Sequence, residues 1–259
     1  MKTNIYGRDV KETKYVLHPV IAEALLSVLA AEPGTGSTYL SLYLAAALGA
    51  GWPVFSRCVP EPRAVLCIDG KLGAARYVRR FETMASLLPA DVHSLIQRNV
   101  CLSSVNAEAL DLRTEESQQV IEERLQDASR QAGKPVDLLV LDNLNCLVSS
   151  PEAPASWRAV NSWFGELQER GIAVLLLHRL NKSGQRHGAQ LVPNLADNVF
   201  HLEREEAGDN RSIAFRIVNI KGRDLSPADR KPIHVLLCPD AQNPSLSYWT
   251  DGDSTEEAG

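Results

Sequence analysis

The chain has 259 residues, 44% of them hydrophobic and 23% charged, an ordinary balance for a globular protein with a sizeable core. Its 27 Lys and Arg against 32 Asp and Glu leave a net charge of −5, which excludes a global basic field for nucleic acid and confines any such contact to a local patch. Five scattered cysteines without a C-x-x-C pair fit reduced thiols, and no apolar run approaches the ~18 residues a bilayer requires, so a cytoplasmic protein with no membrane contact is expected.

In chain order, residues 1–20 read as an N-terminal lead-in, followed by an apolar run from Leu25 to Ala31. An Ala- and Leu-rich helix is expected from Thr38 to Leu48, then a second apolar run from Ala64 to Ile68. Amphipathic helices over Glu115 to Ala132 and Ser156 to Arg170 each end before a glycine and lead into further apolar runs, Leu138 to Leu141 and Ile172 to Leu177. Runs such as LLVL are apolar at every position, as strands buried on both faces must be, so they predict a mainly parallel, twisted sheet flanked by helices. After Glu203 the texture changes to Ser212 to Val218, Ile233 to Cys238 and Ser245 to Trp249, strands separated by polar turns. These predict antiparallel additions at the C-terminal edge of the sheet. One domain over 21–250 and a disordered acidic tail over 251–259 complete the expected organisation.

The segment after the first run, Ala31-Glu32-Pro33-Gly34-Thr35-Gly36-Ser37-Thr38, fits the frame of the phosphate-loop pattern G-x-x-x-x-G-K-[ST]. Its glycines allow successive backbone N–H groups to point inward, and the following helix adds its dipole, which together make an anion cradle. Thr38 stands where a hydroxyl can ligate Mg²⁺. Ala31 replaces the first glycine, and Ser37 replaces the lysine that neutralises the outer phosphates. The plain alternative is a strand-turn-helix corner with glycines for geometry.

The run ending Leu139-Val140-Leu141-Asp142 carries an acid where it can hold a Mg²⁺-bound water, although an Asp after a strand is also a common turn or cap residue. Cys67-Ile68-Asp69-Gly70-Lys71 closes the second strand and His178-Arg179 the fourth. Polar residues thus gather at the carboxyl ends of strands, where open α/β sheets bind ligands.

The order of these landmarks, from Leu25 to Trp249, resembles the RecA-like P-loop ATPase family, and within it the small hexameric helicases of the plasmid RepA and DnaB kind. The resemblance implies a RecA-like fold, ATP and Mg²⁺ as cofactors, and a ring, such as a hexamer, or a hetero-oligomer with an active homologue. In that family a segment resembling I-D-G-E supplies the glutamate that activates water, and Lys71 stands at the matching position, a reversal of charge. His178 matches the polar switch residue after the fourth strand. The loop Asn181 to Gly188, with Lys182 and Arg186, looks like the one that contacts DNA. Lys221 and Arg223 resemble a K-x-R element that reaches into a neighbouring subunit's site as trans-acting fingers.

Three readings stay open. The first is a nucleotide-binding protein with slow or no hydrolysis, acting in DNA replication, mobilisation or repair, in which Lys71 reaches the γ-phosphate in place of the missing lysine. The second is an adaptor that binds partner proteins or DNA without nucleotide, and an active ATPase with relocated charges is a third. Arg76, Arg79 and Arg80 continue the basic stretch from Lys71, as a solvated face or a contact for an acidic partner.

Overall fold

The strand Leu26–Ala31 (β3) is buried at every position, which a chain can tolerate only where both faces of a sheet are covered. The computed structural model describes residues 14–18, 20–105, 110–148, 156–180, 196–222, 225–250 and 256–257. Before β3, a short hairpin of Tyr15–Leu17 (β1) and Ile21–Ala22 (β2) forms a separate two-stranded sheet. Buried Arg63 ties it to the main body, reaching the Tyr15 carbonyl together with the carboxylates of Glu23 and Asp137.

After β3 the elements run Ser37–Ala50 (α1), Val65–Asp69 (β4), Ala74–Ala85 (α2), His93–Asn99 (α3), Val100–Ser104 (β5), Glu115–Ala132 (α4), Leu138–Asp142 (β6), Leu144–Leu147 (α5), Ser156–Glu169 (α6) and Ala173–Arg179 (β7). Asn198–Glu205 (β8), Ile213–Gly222 (β9), Ile233–Cys238 (β10), Ser245–Thr250 (β11) and Glu256–Glu257 (β12) follow. They build a 10-stranded sheet in the order β12-β11-β10-β9-β8-β3-β7-β6-β4-β5. The pairings from β8 to β5 are parallel and those from β8 to β12 antiparallel, so the expected fold class is the observed one.

Side chains alternate across the pleat. Leu29, Cys67, Val140 and Leu175 face the layer of α1, α2 and α3, whereas Val28, Ile68, Leu141 and Leu176 face that of α4, α5 and α6. Trp157, Trp163 and Phe164 belong to the second layer, and the Trp163 indole N–H donates to Glu122 on α4 at 3.0 Å, so these tryptophans pack the core and offer no base-stacking face. Trp249 lies stacked on His234 at the antiparallel edge.

The sequence expectations differ from the structure in three places. The strand β8 pairs with β3 in parallel, so the parallel layer continues past the point where β7 ended the expected series. Its sequence, NVFHLERE, hides this role because its first half is buried and its far half lies at the solvent-facing margin. The strand β5 pairs with β4 and was masked by half-buried polar residues, Ser103 and Ser104. Of the 251–259 tail, Glu256–Glu257 pairs with Ser247 and Tyr248, and the rest lies outside the described residues.

Candidate functional site

The strands β3, β4, β6 and β7 end on one edge of the sheet, and a cavity of about 240 Å³ opens there. It is lined by the phosphate-loop residues Glu32, Pro33, Gly34, Ser37 and Thr38, by Lys71 after β4, by Asp142 at the end of β6, and by His178 and Arg179 at the end of β7. Arg80 enters from α2.

Each wall has a local cause. Gly34 and Gly36 have φ of +83° and +104°, a left-handed region that a side chain resists, and a Cβ on Gly36 would also lie 3.2 Å from the Phe215 ring. The glycines therefore let the loop double back tightly into α1. Gly36 caps that helix without any side-chain hydrogen bond, so the first N–H groups and the positive end of the helix dipole are directed at the cavity. Thr35 is buried beneath the loop, 1% exposed.

Opposite the loop, Asp69 is fully buried and organises the turn that carries Lys71. Its Oδ1 accepts from the backbone N–H groups of Lys71 and Leu72 at 2.9 and 2.8 Å, and its Oδ2 from Gly73 N–H and the Ser104 hydroxyl. The Gly70 N–H donates to the Asp142 carbonyl at 2.7 Å, locking the end of β4 to the end of β6. The Lys71 side chain is exposed at the rim.

Asp142 is the buried acid of the site, 6% exposed. Burial pushes its carboxyl up to about 6, against the Thr38 hydroxyl hydrogen-bonded to it; Asp69 raises it further, while Arg80 and Lys71 pull it down. Its Oδ2 accepts no hydrogen bond among the described residues. A buried carboxylate oxygen left open beside a hydroxyl, with backbone N–H groups across the cavity, fits a magnesium ion carrying phosphate oxygens. Thr38 and Asp142 could hold that ion.

Residues 8–185, more than half of the chain, match the family described as AAA domain. The chain belongs to that family. A solved structure similar to this AAA-domain chain is the KaiC-like protein of the hyperthermophilic archaeon Pyrococcus horikoshii OT3, at 15% identity and a TM-score of 0.57, over 90% of this chain and 96% of that one. At that identity the likeness concerns the fold, which is RecA-like, that of P-loop ATPases. No curated protein matches. Among the described residues, no helix is long and apolar enough to cross a membrane.

The structure thus brings together most of the residues singled out in the sequence, and leaves others apart. His178 is 3% exposed and lines the cavity beside Leu177. Lys221 does not line it: it pairs with Val199 on β8, near the start of that strand, and its Nζ donates to the Ala196 carbonyl at 2.6 Å. Arg223, Lys182 and Arg186 lie outside the described residues. Arg179, at the strand end where the sequence places polar residues, lines the cavity as well, whereas Arg80 is an addition made by the structure. Arg80 was legible only as part of a basic stretch, in which Arg76 and Arg79 are indeed exposed, while Arg80 is half-buried and turns inward.

Proposed function

We propose that this AAA-domain chain binds a nucleoside triphosphate with Mg²⁺ at the carboxyl edge of β3, β4, β6 and β7, and hydrolyses it slowly or not at all. The observation that carries this reading is the convergence on one cavity of the Thr38–Asp142 pair, the phosphate loop and Lys71. Bound magnesium would supply charge neutralisation at the outer phosphates. The loop N–H groups and the α1 terminus would bind the phosphate chain, Thr38 and Asp142 would orient the ion, and Lys71 would supply the cation that Ser37 lacks. With a lysine at position 71 in place of a glutamate, no carboxylate stands there to take a proton from water, so binding and hydrolysis are uncoupled.

The biological setting that fits is DNA replication, mobilisation or repair, in an assembly of the helicase kind, with 21–250 acting as one domain. Lys221 lies away from the chain's own cavity with its Nζ on the Ala196 carbonyl, so a contact with nucleotide would have to be with a neighbour's and would need that bond released. The same position favours a second reading, in which the chain is an adaptor that uses Lys221, Arg223 and the loop bearing Lys182 and Arg186 on partner proteins or DNA without nucleotide.

Calorimetric titration with ATP and Mg²⁺ separates the two. Saturable binding at micromolar ATP that Thr38→Ala or Asp142→Ala abolishes supports the nucleotide reading. No heat at millimolar ATP sinks it and leaves the adaptor.

A further inference from the structure

We infer that Arg80 is a phosphate-binding cation of this site, held by the ring face of Tyr39 and aimed into the cavity at the outer phosphates of a nucleoside triphosphate. The inference rests on the nucleotide reading above and adds to it a residue outside the phosphate loop.

Three independent features of the geometry converge on it. Arg80 and Ser37 line the same cavity, so a cation enters from α2 a space whose loop wall lacks one at position 37. Tyr39 lies on α1 two residues beyond Ser37, and the Arg80 guanidinium carbon sits 4.8 Å from its ring centroid. A cation stacked at that distance is held at low entropic cost, with its N–H edge left for other partners. Finally, no ion pair ties Arg80 to a carboxylate among the described residues. Among the described residues the other two arginines that are not exposed are neutralised, Arg57 by Asp229 and Arg63 by Asp137. A half-buried guanidinium with no ion pair, sensing the buried Asp142 carboxyl in the same cavity, is placed to take phosphate oxygens.

The helix sets this placement. On α2, Tyr77 and Met84 are buried against α1, and Arg80 lies one turn from each on the same side. Arg76 and Arg79 fall on the outer side and are exposed. Arg80 and Lys71 therefore approach the cavity from different directions, Arg80 from a helix fixed by core packing and Lys71 from the Asp69-capped turn. Planar and bidentate, the guanidinium suits two oxygens of one phosphate, whereas the ammonium acts as a point charge.

The test compares ATP and ADP binding, each with Mg²⁺, to the full chain and its Arg80→Met, Arg80→Lys, Tyr39→Leu and Arg79→Met variants, with thermal melting of each unliganded protein. Arg80→Met is expected to weaken ATP by about 10- to 100-fold and ADP by much less, with an unchanged melting temperature. Arg80→Lys should recover part of the loss, Tyr39→Leu should reproduce a smaller ATP-selective loss, and Arg79→Met should bind as the parent. Adding Ser37→Lys to Arg80→Met should restore ATP affinity. If the parent binds ATP and Arg80→Met binds it equally well, the assignment fails while the nucleotide reading stands. Equal losses of ATP and ADP with a lowered melting temperature also overturn it, by showing that the arginine only packs. Should Arg80→Met not fold, Arg80→Lys and Tyr39→Leu decide: ATP affinity unchanged in both removes the assignment. No ATP binding by the parent protein is the failure of the nucleotide reading itself.

Discussion

The Thr38 hydroxyl holds the pKa of the Asp142 carboxyl down against the burial that raises it, and the two residues bring the first turn of α1 and the end of β6 together in one cavity. These residues are about a hundred positions apart in the chain, and the contact exists because β3 and β6 are both neighbours of β7. Thr38→Ala should remove Mg²⁺-dependent ATP binding while costing about 1 kcal/mol of fold stability, read by calorimetry and by chemical denaturation. Loss of binding without Mg²⁺ dependence in the parent would contradict the role given to the pair.

Asp142 makes the site sensitive to pH. Its folded carboxyl, at about 6, lies above the ordinary aspartate value, so between the two the native chain holds a proton that the unfolded chain releases. The contribution of Asp142 to the stability of the metal-free protein is therefore fullest on the acid side and is lost as pH rises through this window, by up to about 3 kcal/mol. Asp142→Asn should flatten that loss, raising the melting temperature of the metal-free protein near pH 7. Mg²⁺ requires the ionised form, so Mg²⁺-dependent binding should strengthen as pH rises from about 5 to about 7 and be absent in Asp142→Asn.

The charges at positions 37 and 71 should be exchangeable in part. Lys71→Glu alone places a carboxylate beside Asp142 and removes a cation, so ATP binding should weaken by about tenfold or more. Ser37→Lys with Lys71→Glu restores the cation and adds a base, and should create Mg²⁺-dependent phosphate release, measured by steady-state assay. An inert double variant that binds no ATP would count against the assignment of both positions.

Gly36 tests the shape of the loop. With φ at +104° and Phe215 within 3.2 Å of a built Cβ, Gly36→Ala should destabilise the fold by about 1 to 2 kcal/mol and weaken ATP, whatever the cations do. Trimming the obstruction with Phe215→Leu in the same chain should return some stability but little affinity, since the backbone strain remains.

Asp69 is a different case, a buried carboxylate whose partners are mainly backbone. Asp69→Ala orphans the N–H groups of Lys71, Leu72 and Gly73 and should cost about 3 kcal/mol or more in denaturant melts. It should also weaken ATP binding by releasing the turn that aims Lys71.

Much of the site was legible because its parts are local. The glycines and Thr38 stand in one short segment whose spacing dictates a turn into a helix, and Asp142 ends an unbroken apolar run. Arg80 was not, because a basic residue on an amphipathic helix has the same sequence signature whether it faces solvent or a cavity; Arg79 and Arg80 are neighbours with opposite fates. The strand β8 was hidden for a similar reason. One half is buried beside β3 and the other half-exposed, so its pattern is neither continuous nor cleanly alternating.

By itself the sequence determined the α/β class, the phosphate-loop frame and the identity of the residues at positions 37 and 71, since hydrophobic period and turn chemistry act over a few residues. Tertiary structure alone decided which strands are neighbours, and through that which side chains share the cavity. It set Thr38 on Asp142, hung the Lys71 turn on Asp69, turned Arg80 onto Tyr39 and kept Lys221 away from its own site. Those contacts depend on packing two helical layers on a twisted sheet, an energy that belongs to the whole core and is written in no single segment.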